Sequence, residues 1–393
     1  MSGGNHADDG CAIVGVGATP FTRDSGVSVL SLATEASLAA IQDAGMVPND
    51  IDGIVRCESD EAHVNDLADA LGISELSFWG AVEGGGAAPC GMVGLACAAI
   101  ASGRARSVLV YRALNGRSGF RFGQGQGDGS TGGNATYDEY FIPWGLTAFG
   151  QMFALMARRH MHEYGTTPEQ LGSIALAVRR RANANPAAQM YGRPMTMDDY
   201  LASRVISDPL RLFDYCLESD GACAVVVTSK ERAADCPQPP AAVLATAQSS
   251  IPGPQPGQSF TSLMRTNITT QPSSACANRL YKRAGIGADD IDVAQFYDCF
   301  TITVLLQLED YGFCKKGEGG PFAASGALEI NGSLPINTAG GHLSEAYIHG
   351  LNHVVEGVKQ IRGQSTSQVH GAETCLVTSG IPNITSAMIL QKV

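Results

Sequence analysis

The chain has 393 residues, 44% hydrophobic and only 16% charged, with 47 glycines and a formal net charge of −12. A charged share below the usual ~25% puts much of the chain inside a core and excludes disorder for all but the ends. The negative balance argues against nucleic-acid or anionic-membrane binding, both of which need a positive footprint. At roughly 150 residues per domain the length predicts two to three domains. The opening MSGGNHADDG is polar and acidic, unlike a signal peptide, and residues 1–10 are expected to form a flexible tail. CAIVGVGAT at 11–19 reads as a buried strand running into a turn. Residues 28–44 carry Leu30, Leu32, Ala33, Ala36, Leu38 and Ile41 at helical spacing, Gly45 ends that helix, and VPNDIDGIV announces the next strand. The longest uncharged, mostly apolar stretch, Ala87 to Ala101, is too short to span a bilayer. Helices are predicted at 149–161 and 167–182, the second broken by NANPAA at 183–188.

AGMVPNDID at 44–52 returns as AGIGADDID at 284–292, each copy following a helix and preceding an apolar strand. Two such copies imply two related α/β halves. The halves are placed at 11–236 and 237–393, joined at Pro237, Pro239 and Pro240, with an inserted region at about 114–205 that makes the first half longer.

Several motifs carry little chemistry. The Gly15–Gly17 turn meets Pro20 where a dinucleotide fingerprint wants glycine, and GQGQGDG at 123–129 lacks the preceding strand, so it reads as a loop. His342, His349 and His353, spaced seven and four apart, fit a metal site less well than helix-capping or core histidines, and no metal is predicted. Eleven cysteines without a CxxC pair read as reduced thiols in a cytoplasmic protein, Cys97 and Cys223 among them buried. Cys90, after the run Gly84–Gly86 at the head of an apolar helix, has the setting of a nucleophile or of one more core cysteine. Tyr297 in QFYDCFT and Tyr347 in NTAGGHLSEAYIHG stand in unusual surroundings, the second beside Gly340 and Gly341. Tyrosines there are ordinarily packing residues.

The two-half pattern, SDPLRLFDYCLESDGACAVVVTS at 207–229, YDCFT at 297–301, NTAGGHLSEAYIHG at 337–350 and the late Cys375 together resemble the thiolase superfamily. ARRHMHEYGTTPEQL at 157–171 and ANANPAAQM at 182–190 resemble its sterol-carrier-protein, or lipid-transfer-protein, branch. The resemblance covers nearly the whole chain and implies an α/β thiolase fold, with duplicated βαβαβ halves in five αβαβα layers. The departures are informative. Counting back from Gly103, the place of the thiolase nucleophile falls at Ala87 or Ala88, with Cys90 about one turn too far along. The family's HDCF has become YDCF and its second catalytic histidine has become Tyr347. Claisen chemistry through an acyl-enzyme is thereby excluded by its usual route.

Paired tyrosines at these places are similar to those of the retro-aldolases of bacterial steroid side-chain degradation. The resemblance implies cleavage of a β-hydroxy acyl-CoA at a tertiary carbinol, giving a 17-ketosteroid and propionyl-CoA. Tyr297 is assigned as base and Tyr347 as the acid that protonates the enolate, with the reverse open. One of them is expected to have a lowered pKa, since an unperturbed phenol near 10 is a poor base. Backbone N–H groups at Gly84, Gly85, Gly86, Gly340 and Gly341 are candidates to hold the enolate oxygen, and Asp298, Glu345 and His349 to support the pair. Cys90, Cys375, Arg104 and Arg106 are candidates for contacts with the acyl-CoA, the arginines through its phosphates. No cofactor is expected beyond the CoA of the substrate. The expected partners are a second copy of the chain and a small OB-fold, zinc-ribbon companion that holds any zinc. The rival readings are a cysteine-dependent acyltransferase and a non-catalytic lipid carrier.

Overall fold

Nine strands form one continuous sheet, and the order in which they pair shows the duplication directly. The computed structural model describes residues 10–119, 121, 142–251, 263, 265–380 and 382–393. The expected tail and the GQGQGDG loop therefore lie outside the described residues, Gly10 excepted. The first half begins with β1 (Cys11–Ala18) and α1 (Val29–Asp43), which Ser28 caps by accepting the Ser31 N–H. It continues through β2 (Gly53–Cys57), α2 (Val64–Leu71), β3 (Phe78–Val82), α3 (Ala88–Ala101) and β4 (Ser107–Asn115). Between β4 and the next sheet strand come α4 (Phe149–Tyr164), α5 (Pro168–Ala184), α6 (Met197–Ala202) and a ribbon of β5 (Val205–Ser207) with β6 (Leu210–Arg211). The chain re-enters the sheet at β7 (Asp220–Ser229) and, after α7 (Lys230–Ala233) and the proline loop, at β8 (Ala241–Ser250). The second half adds α8 (Pro272–Ala284), β9 (Val293–Gln295), α9 (Thr301–Asp310), α10 (Gly319–Ala324), a π-helical turn (Gly341–Glu345), α11 (Leu351–Arg362), β10 (Thr374–Ser379) and β11 (Ile384–Lys392).

The strand order is β3-β2-β4-β7-β1-β8-β11-β10-β9. In the first half β1 and β4 flank β7 antiparallel, while β2 runs parallel to both β4 and β3. In the second half β8 and β10 flank β11 antiparallel, β9 runs parallel to β10, and a lone parallel bridge from Ala294 to Ile336 stands where β3 would be. The halves join through only two residue pairs, Ala12 with Ala242 and Ile13 with Ala241.

Three hydrophobic clusters separate the layers. Val29, Leu32, Ile41 and Leu67 of α1 and α2 cover the outer face of the first half-sheet. The middle cluster packs α3 and α11 together between the two half-sheets, with Met92, Val93, Val354 and Val358 at its centre. α3 is apolar along its whole length because sheet lies on both sides of it. The third cluster covers the outer face of the second half-sheet, where α9 meets α4 and α5. This is the five-layered thiolase arrangement. The helices between β4 and β7 are not a free-standing unit, since Met152, Phe153 and Ile174 share a core with Ile302 and Leu305. No helix among the described residues is long and apolar enough to cross a membrane.

Candidate active site

The chain crosses from β9 to α9 through Phe296–Phe300, and both backbone groups of Tyr297 are held. Its N–H donates to Thr378 Oγ1 at 2.9 Å, and its carbonyl accepts from Gln307 Nε2 at 2.8 Å and Thr303 Oγ1 at 3.0 Å. Tyr347 follows the π-helical turn, with its N–H on Ser219 Oγ at 3.0 Å. Fifty residues apart in sequence, the two hydroxyls meet at 2.7 Å, with the rings edge-to-face at 6.2 Å. They form part of the wall of a cavity of about 980 Å³. Gly84–Ala87, His349 and Gly380 line the same end. Phe149, Phe153, Phe213, Phe300 and Leu212 give it an apolar wall, and Arg23, Arg117, Arg121 and Arg193 line it as well.

The glycine run has a steric reason. Gly84 and Gly85 take φ of +109° and +53°, which turn the chain into α3. A Cβ on Gly86 would stand 1.8 Å from Tyr297 Oη. Ala87, where the resemblance puts the thiolase nucleophile, lines the cavity directly beside this run.

Neither phenol is acidified, contrary to expectation. Burial first, then the neighbouring Tyr347, pushes the Tyr297 hydroxyl well above its ordinary value. Burial likewise raises Tyr347, although the hydrogen bond with Tyr297 and the Arg112 cation work the other way. At neutral pH the pair is two neutral phenols sharing a hydrogen bond.

Behind this wall lies a buried polar layer. Asp298 is fully buried, which opposes its charge, yet the His353 ring and the N–H groups of His342 and Leu343 hold its carboxyl below the ordinary range. His342 stands edge-on to both tyrosine rings, at 4.8 and 4.9 Å. Burial pushes its pKa well below the usual imidazole value. The expected histidine trio divides: His342 and His353 gather with Asp298, close enough together for a metal's ligands, whereas His349 stands apart against Arg112. The His353 ring is hydrogen-bonded to Asp298 at 3.0 Å, and His342 Nδ1 stands 3.4 Å from the same carboxyl oxygen. Glu345 accepts from Asn185 and Asn352, and burial pushes its carboxyl up to about 8.

His349 lies in the cavity wall with a left-handed φ of +51°. Its Nδ1 is 2.8 Å from Arg112 Nη2 and 3.2 Å from Nε. Arg112 is wholly buried and paired with Asp60 at 2.6 Å. Burial opposes the guanidinium charge, and Asp60, Cys57 and Glu58 together more than offset it.

Besides Asp298 and Glu345, which lie behind the wall, six candidates do not line the cavity. Cys90 faces the interior, its thiol between Ser379 Oγ and the Val377 carbonyl and pushed up by burial to about 12. Cys375 is buried in β10 and packs against Gly357 of α11. Arg104 is an exposed residue of the turn after α3, and Arg106 is exposed and pairs with Asp52. Gly340 abuts Ala182 and Gly341 abuts Asp298, so their close approaches serve packing. Of the other early arginines, Arg117 and Arg121 line the cavity but pair with Glu218. Sequence reasoning missed Asp60, Arg179, Arg193, Cys216 and Cys299. An arginine inside SVLVYRALN, as Arg112 is, places a charge on a buried strand.

The chain is similar to known proteins over nearly its whole length. A family model described as "Thiolase C-terminal domain-like" matches residues 258–392. The steroid side-chain-cleaving aldolase of Thermomonospora curvata is 46% identical over 96% of this chain and 97% of its own. The 17-hydroxy-3-oxo-4-pregnene-20-carboxyl-CoA lyase of Mycobacterium tuberculosis is 44% identical over 96% of this chain and 98% of its own. A solved structure of an Ltp2–ChsH2(DUF35) aldolase superposes with a TM-score of 0.91 at 44% identity, covering 98% of both chains.

Proposed function

Since the chain belongs to the thiolase superfamily, in the family of the steroid side-chain-cleaving aldolases, we propose that it cleaves a β-hydroxy acyl-CoA by a retro-aldol reaction. The substrate in this reading is a 17-hydroxy steroid C22-oyl-CoA, and the products are a 17-ketosteroid and propionyl-CoA. The observation that carries the reading is the 2.7 Å contact between the hydroxyls of Tyr297 and Tyr347, on a cavity lined by Ala87, one of the two places the resemblance gives for the thiolase nucleophile.

The raised phenols suit a relay better than a standing phenolate. The carbinol O–H passes its proton to Tyr297 as Tyr297 passes its own to Tyr347 and Tyr347 passes its own to the α-carbon. The carbinol oxygen becomes the ketone, and the carbon–carbon bond electrons move towards the α-carbon as the thioester gains enolate character. The three transfers are concerted, so each phenol ends with one proton and neither holds two. No net charge is left on the pair, so burial favours this route where it penalises a phenolate. The phenylalanine wall suits a steroid ring system. Arg23, Arg179 and Arg193 take over the role first given to Arg104 and Arg106, facing the CoA phosphates.

A second copy of the chain and a zinc-ribbon companion complete the reading. β3 is an edge strand with Trp79 68% exposed, a surface suited to a second copy. The structure with TM-score 0.91 pairs its aldolase with a DUF35 protein, and an equivalent small companion is proposed here, holding any zinc. The test is incubation with a tertiary β-hydroxy acyl-CoA, with and without the companion, following ketone and propionyl-CoA by mass. The reading fails if neither forms in the complete mixture.

A further inference from the structure

The relay accounts for the protons but leaves the enolate oxygen without a partner, and the buried group beside Tyr347 supplies one. A guanidinium has donors and no acceptor. Both Arg112 contacts therefore end on a lone pair of His349 Nδ1, at 2.8 and 3.2 Å, and the ring proton must sit on Nε2. Burial, and then the same cation locked in place by Asp60, opposes protonation of the ring. His349 lines the cavity and Arg112 does not, so the imidazole stands between the ion pair and the substrate. Its ring centroid is 5.1 Å from that of Tyr347, and its Cε1 would be 3.5 Å from a Cβ on Gly85. A left-handed φ on a residue with a Cβ is strained, and such strain persists where the surroundings over-determine it. Here Arg112 and the α3 glycine turn do so.

We propose that His349 is a catalytic residue whose Nε2–H donates to the substrate's thioester oxygen and holds it as the enolate forms, with Arg112 and Asp60 as positioning residues. This rests on the retro-aldol reading. The imidazole stays neutral throughout and takes up no proton: Nε2 already bears one, and the Nδ1 lone pair is occupied. A neutral imidazole is a closer match to an enol or enolate oxygen than to a resting carbonyl, so its contribution grows as charge develops.

The test uses the full chain with its companion. His349→Ala is expected to lower kcat by roughly 10²- to 10³-fold with little change in KM, as for loss of one oxyanion donor. His349→Gln, whose amide can present an N–H, is expected to recover part of that loss and guards against a merely misfolded variant. Exchange of the propionyl-CoA α-proton in D₂O, which needs the enolate but no carbon–carbon cleavage, should fall in the same proportion. In ¹⁵N spectra of histidine-labelled protein, the His349 signal should report the neutral Nε2–H tautomer from pH 5 to 9. Wild-type cleavage with His349→Ala at near-full kcat and exchange overturns the inference alone, as does a His349 signal that titrates in that range. Absence of wild-type cleavage overturns the retro-aldol reading and this inference with it.

Discussion

The two halves place equivalent elements at the cavity and use them differently. Each sends a buried helix into the middle layer, α3 from the first half and α11 from the second. The turn before α3 is Gly84–Gly86, stripped of side chains, whereas the segment before α11 carries Tyr347 and His349. The segments after β2 and β9 diverge in the same way. The first leads to Asp60, which anchors Arg112, and the second leads to Tyr297. The first half thus contributes room and a buried charge, and the second contributes the groups proposed to move protons. A duplicated scaffold brings two loops face to face, and both cannot be bulky: Tyr297 Oη occupies the space a Gly86 side chain would need.

The largest expected effect comes from removing the proton groups of the second half. Tyr297→Phe and Tyr347→Phe should each lower turnover by about 10²- to 10⁴-fold while leaving the circular dichroism spectrum and Tm near wild type. Near-full steady-state turnover in either variant would remove that tyrosine from the relay. Next comes the room supplied by the first half. Gly86→Ala should lower turnover by about 10²-fold, because displacing a reacting group by an ångström costs that much. An unchanged rate would show that the bare turn is not what the pair requires.

A smaller effect is expected in stability. The Glu345 carboxyl at about 8 lies above its ordinary value of 4.5, so its share of stability is full below that value and is lost progressively as pH rises to about 8. Tm is expected to fall across this window and to level off above it, and Glu345→Gln should flatten the fall in calorimetry. The smallest effects belong to residues the structure removes from the site. Arg104→Ala and Arg106→Ala should change stability by no more than about 0.5 kcal/mol and leave the KM for acyl-CoA unchanged. Cys90→Ala should retain turnover at a stability loss of about 1 kcal/mol. A large loss of turnover in that last variant would revive the cysteine-dependent rival.

Much of the fold was legible because it rests on local regularity. Periodicity and the repeated AG-x4-DID text located α1, α4 and α5 and the duplicated halves. The tyrosine pair was legible through its motifs, since a change from histidine to tyrosine at two known places is visible without coordinates. The errors share one cause. Arg104, Arg106, Cys90 and Cys375 were grouped by residue type and by nearness in sequence, and neither says which way a side chain points. Arg112 shows the point within one strand, because β4 turns it inward to Asp60 while Arg106, just before the strand, faces solvent.

By itself the sequence determined the layered α/β architecture, the loss of the thiolase nucleophile and imidazoles, and the identity of the two phenols that replace them. Only the tertiary structure decided that the two phenols meet in a hydrogen bond and that neither is acidified. That outcome depends on how deeply both are buried and on which groups lie behind them. It also decided the tautomer of His349, because Asp60, Arg112 and His349 come from three segments separated by up to 289 positions and meet only when the half-sheets close on the middle layer. A pKa and a hydrogen-bond direction are properties of a residue's surroundings, and those surroundings are assembled from residues remote in sequence.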